Sequence, residues 1–212
     1  MGSDCADSGL ISTFRRQQTL NALSIILANI YLVGYSFGGF EDSPFAHDVH
    51  LIGYVALLHC PCSAIYHLHL VLRSYKEPLG FPRTSFTRLL DMGSLHLCCI
   101  AISLALSHGS ALFCLVNLIV NTVFLMMMVL RYLRGAHEDP WAEHLEFLRT
   151  GVCSAGYVLA ILMRGHTASF LYSISLLALM GILMMVQPFG HALSRVPLAL
   201  FMRSLVESAA VP

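Results

Sequence analysis

The chain reads as an all-α, polytopic membrane protein: a bundle of seven transmembrane helices with its N-terminus in the cytoplasm. Three observations carry that reading. Of 212 residues, 57% are hydrophobic and 11% are charged, whereas an average soluble domain carries about 25% charged residues. The apolar residues gather into seven segments, near 20–37, 50–72, 89–107, 111–130, 150–163, 168–186 and 189–206. Nine of the 12 Lys+Arg fall in the N-terminal arm and in the loops after the second and fourth segments, and the loops after the first and third have none. Basic residues stay on the cytoplasmic side, which sets the orientation.

Taken in order, residues 1–19 form a polar arm with Arg15 and Arg16. The run from Leu20 to Phe37 is too long for the apolar core of a cleaved leader and is read as a first span. Gly34 and Gly38 there are spaced to permit close helix contact. The second and third segments are joined by a basic loop with Arg73, Lys76, Arg83 and Arg88, and Pro78, Gly80 and Pro82 mark its turns. A loop with Arg131, Arg134, Pro140 and Arg149 follows the fourth. The fifth segment is short, Thr150 to Met163, and Arg149 and Arg164 at its ends can reach the headgroups. Pro188 and Gly190 signal the start of the seventh, the most polar, which holds His191, Ser194, Arg195, Pro197 and Arg203. A helix that polar faces protein or water rather than lipid. Residues 20–206 therefore form one membrane domain, followed by a short tail at 207–212.

A net charge of zero excludes an electrostatic footprint for nucleic acid. Phosphate-binding glycine loops are absent from the sequence. All seven cysteines but Cys5 lie in apolar segments, where cysteine acts as a small hydrophobe. Cys60-Pro61-Cys62 has one residue between its thiols, a poor match to structural zinc spacing.

Ionisable residues at membrane depth are costly and mark candidate sites. His59, Ser63 and His67 recur at i, i+4 and i+8, on one face of the second helix. Asp91 is the one acid inside a span, and His191 opens the last, with Arg195 a turn further on. In the seven-helix topology, His67, Asp91 and His191 all reach the cytoplasmic end. Each has a plainer reading. His59 suits interhelical hydrogen bonding, Asp91 could pair with Arg88 or Arg195, and His69, His96 and His108 read as packing or interfacial residues.

Ser63-Ala64-Ile65-Tyr66-His67 resembles the S-x-x-x-H motif that ends helix two in the superfamily joining alkaline ceramidases, progestin/adiponectin receptors, haemolysin-III-like proteins and GPI-remodelling lipid hydrolases. Leu89-Leu90-Asp91 resembles its Asp at the start of helix three, and Gly190-His191-Ala192-Leu193 the start of its H-x-x-x-H motif on helix seven. The resemblance implies a seven-helix fold, with zinc on His67 and His191 and with Ser63 and Asp91 flanking a metal-bound water. The second histidine of the last motif is replaced by Arg195, and a guanidinium does not ligate zinc. Arg195 could instead pair with Asp91 or hold an anionic lipid headgroup.

Three functions compete. The first is a zinc-dependent hydrolase of a lipid amide or ester, in which the metal would bring its water to a pKa of about 7. The second is a lipid-binding, receptor-like or scaffold protein of the same fold without catalysis. The third is a small seven-helix transporter with repeated halves, although the halves show no likeness in sequence. In each case the membrane lipid is the expected partner, in an endomembrane (ER/Golgi) or the plasma membrane.

Overall fold

The computed structural model describes residues 3–76, 85–108, 110–134, 151–153, 156, 158–163, 166–186 and 189–211, with side chains from residue 9 onward. Arg83, Arg149 and Arg164, and the turn residues Pro78, Gly80, Pro82, Pro140 and Pro188, lie outside the described residues.

Every regular element among the described residues is a helix. They are α1 (Ser3–Gly38), α2 (Ala46–Arg73), α3 (Phe86–Ser107), α4 (Ala111–Leu133), α5 (Gly151–Met163), α6 (Thr167–Met184), α7 (Gly190–Leu193) and α8 (Arg195–Ala209). Five of them, α1 to α4 and α6, are long and apolar enough to cross a membrane. The fold is thus that of a helical, multi-pass membrane protein, and its surface agrees. Leu72, Leu112, Leu133 and Met185 are each about two-thirds or more exposed, an arrangement that lipid tails favour and water does not.

The helix starts and ends follow local chemistry. Ser85 caps α3 by accepting the Arg88 backbone N–H (3.1 Å). The same helix ends at His108, whose φ of 42° is the left-handed conformation that closes many helices. Pro61 lies inside α2, where neighbouring helices tolerate it. The seventh apolar segment divides into α7 and α8 at Ser194, but the turn stays right-handed (φ −64°, ψ −13°). Ser194 N–H still bonds Gly190 C=O and Leu198 N–H still bonds Ser194 C=O.

Consecutive helices pack against each other from α1 to α4, and α8 closes the bundle against α6 and α1. The core is made by Val49 and Ile52 of α2, Ile102 and Leu106 of α3, Ile161 of α5, and Leu205 and Val206 of α8. The expected close approach at Gly34 and Gly38 does not form, since both face open space. It is Gly53 that lets α2 meet α1, where an added Cβ would fall 2.7 Å from the Phe37 ring. Here the spacing of small residues was a misleading guide, and the side of the helix they occupy decided the outcome.

Candidate functional site

The bundle has two chemically different ends. At one, Tyr35 donates to Glu207 (2.7 Å), Ser43 donates to the Ala210 carbonyl (3.0 Å), and His108 stacks edge-on against Phe45 (4.2 Å). At the other stand Arg15, His67, His69, Arg88, His191 and Arg195. There Arg15 of α1 donates to Ser74 Oγ and to the Ser74 carbonyl, both at 2.9 Å, and covers the Tyr75 ring at 3.6 Å. His69 and Thr87 share a hydrogen bond (2.7 Å) across the α2–α3 junction.

The sequence-derived site residues meet at this second end. His67 is buried near the end of α2, and its Nδ1–H donates to Oε1 of Gln18 on α1 (2.7 Å). That bond fixes the tautomer and leaves Nε2 with its lone pair. The His191 ring of α7 stands edge to face with His67, with 5.5 Å between centroids. Nδ1 of His191 and Nε of Arg195 are both closed off from solvent without a hydrogen-bond partner. Ser63 is buried one turn deeper than His67 on the same helix face. Asp91 is buried at the start of α3 and pairs with Arg88, one turn back, at 3.7 Å. Arg88 in turn lies over the Tyr66 ring at 5.0 Å.

Two of the plainer readings describe the geometry. Asp91 takes Arg88 as its ion-pair partner, and no ion pair joins it to Arg195, although the two charges act on one another through the site. His59 is interhelical glue: its Nδ1–H donates to Ser94 Oγ (3.0 Å), and Ser94 donates to the Asp91 carbonyl (2.8 Å). His59 thereby supports Asp91 through the backbone.

Gln18 was missed in the sequence. It was counted in the polar arm, and its one signal was a helix period that continues unbroken from Leu20 back through Arg15. A second polar centre was also missed. His96 of α3 donates from Nδ1 to Oδ1 of Asn121 on α4 (2.9 Å), and the Cys153 thiol of α5 donates to the same oxygen (3.2 Å). His96 Nε2 is buried without a partner. Asn117 and Asn121 are the buried residues of α4, while most of its aliphatic residues face outward.

A catalytic zinc normally takes about three protein ligands and one water. His67 fits one such ligand, because Gln18 orients its ring and leaves Nε2 available. His191 could supply a second. Among the described residues no group of three His, Cys, Asp or Glu is close enough to complete the set, and Cys60 and Cys62 do not do so. The position one turn after His191 carries a cation instead. These residues therefore do not fit a catalytic zinc.

In comparisons with known proteins, no family model, no curated protein and no solved structure matches the chain.

Proposed function

We propose that the protein spans the membrane seven times with its N-terminus in the cytoplasm, residues 190–206 of α7 and α8 forming the last span. On this reading the cluster of Gln18, His67, Asp91, His191 and Arg195 is a lipid-headgroup site at the cytoplasmic end of the bundle. The observation that carries it is the meeting of His67 and His191, with the buried, unpartnered Nδ1 of His191 and Nε of Arg195 beside them, inside an otherwise apolar assembly. Polar groups left without partners at membrane depth are costly, so their retention favours a bound ligand. The basic residues at this end suit the negatively charged cytoplasmic leaflet.

Lipid retention tests the reading. Detergent-purified full-length protein, stripped and then offered lipid extract, is expected to retain lipid. The His191→Ala variant is expected to lose it while keeping its unfolding midpoint. Equal retention by both would overturn the assignment of the site.

A second reading is favoured by the free lone pair on His67 Nε2 opposite His191. It is metal-dependent hydrolysis of a lipid amide or ester, as the resemblance to the ceramidase and adiponectin-receptor superfamily implies. It needs a third ligand, which the described residues do not bring. Release of a fatty acid or of a long-chain base, abolished in His67→Ala and Asp91→Ala, would establish it.

A further inference from the structure

The charges at this end do not balance. Among the described residues Asp91 pairs with Arg88 at 3.7 Å and acts on Arg195 only at longer range, and Arg195 makes no ion pair. Its Nε is nevertheless sealed from solvent. A guanidinium without a close counter-ion in a low-dielectric setting is destabilising or draws in an anion. A second unpartnered donor is close by. His191 lies one turn before Arg195, and the helical hydrogen bonds that run through Ser194 keep the two on one face. With Nδ1 protonated, the His191 N–H would be a donor beside the guanidinium. The face they share is where His67 stands, 5.5 Å from the His191 ring.

We infer that Arg195 and His191 form a phosphate-binding pair, so that the ligand of the site carries an anionic phosphate group, as a monoester or a diester. The inference rests on the headgroup reading above and deepens it by naming the chemical class. A planar guanidinium offers donors in a fork that matches phosphate oxygens, and a charge-assisted bond of this kind is stronger than a neutral one. The anion supplies the charge that Asp91 cannot, and it accepts from both unsatisfied nitrogens. A neutral headgroup that presents only hydroxyl and amide groups would leave Arg195 without a close counter-ion.

The test uses full-length protein in detergent, with bound lipid counted by native mass spectrometry. Dioleoyl phosphatidic acid is compared with dioleoylglycerol, which has the same chains without phosphate. The wild type is expected to retain phosphatidic acid about tenfold or more over dioleoylglycerol, the scale of a charged hydrogen bond. In Arg195→Gln that preference falls to near unity, and Arg195→Lys recovers part of it. Arg195→Met is a second removal of the permanent charge and should also lose the preference, which guards against a folding failure in one variant. Inorganic phosphate is added as a competitor. Displacement of the lipid would show that free phosphate satisfies the pair, and persistence of the lipid that the whole headgroup is needed; both support a phosphate site. Equal retention of the two lipids by the wild type, or a preference unchanged in Arg195→Gln and Arg195→Met, overturns the inference and leaves the headgroup reading standing. Retention of neither lipid, nor of any lipid from an extract, overturns both.

Discussion

Nδ1 of His67 donates to Oε1 of Gln18 across 2.7 Å, and this one bond ties α1 to α2 at the level where His191 arrives from α7. In a bilayer, lipid tails solvate apolar side chains as well as a neighbouring helix does, so buried polar contacts carry much of the specificity of helix pairing. The candidate site and the packing of the bundle are therefore built from the same residues.

Gln18→Ala should show this directly. It leaves the His67 N–H without its acceptor and frees the ring. The expected cost is about 1 kcal/mol of stability, the scale of interhelical hydrogen bonds in membranes, together with weaker lipid retention. Unfolding midpoints in detergent and the retained-lipid count check the two effects separately.

Gly190 positions the other histidine. A Cβ there would collide with the backbone carbonyl of Leu183 and lie 3.4 Å from Val186 Cβ, so only glycine lets α7 begin this close to the end of α6. Gly190→Ala is expected to shift His191 and to destabilise the protein by about 1–3 kcal/mol, as overpacking does. If the unfolding midpoint and the lipid count both match wild type, the tight entry has no role in placing His191.

Asn121 is the hub of the second polar centre. Asn121→Leu removes the acceptor shared by His96 and Cys153 and leaves both buried without it. A loss of about 1 kcal/mol is expected, with faster alkylation of Cys153 as α4 loosens. Lipid retention at the His67–His191 cluster should change little, because the two centres share no residue.

The opposite end predicts a pH effect of definite sign. Burial acts to raise the Glu207 carboxyl, but hydrogen bonds from Tyr35 and Arg203 outweigh it and hold the group below the usual carboxylate range. A depressed carboxylate stabilises the fold above its unfolded value and loses that contribution as pH falls through its folded one. Glu207→Gln should therefore be less stable than wild type at neutral pH, and the difference should vanish at acid pH, below about 4. Both side chains of the Arg203–Glu207 pair are nearly half exposed, so the effect is on the scale of about 0.5 kcal/mol. Melting curves across pH measure it.

Much of this architecture was legible in the sequence, because a bilayer demands long apolar runs and penalises charge within them. The segments near 50–72, 89–107, 111–130 and 168–186 correspond to α2, α3, α4 and α6. The polar arm was the exception. It continues α1 back to Ser3, and the good helix formers Arg15, Arg16, Gln17 and Gln18 carry the helix out of the apolar run, where hydropathy gives no signal. The convergence of His67 and His191 could be read from the alternation of span directions alone. Their partners could not: Gln18, Ser94 and Asn121 lie at ordinary-looking positions, and only packing shows which face each occupies. Hydrogen-bond partnership across helices has no period in the sequence.

The account turns on Arg195, a permanent cation one turn after His191 where a third imidazole could otherwise stand. Elemental analysis for zinc on detergent-purified full-length protein, wild type beside Arg195→His and His191→Ala, tests it most directly. The expected result is far less than one zinc per chain in wild type, rising toward about one in Arg195→His as a third imidazole joins His67 and His191. About one zinc per wild-type chain, lost in His191→Ala, would contradict the account and make the metal-dependent hydrolase the better reading.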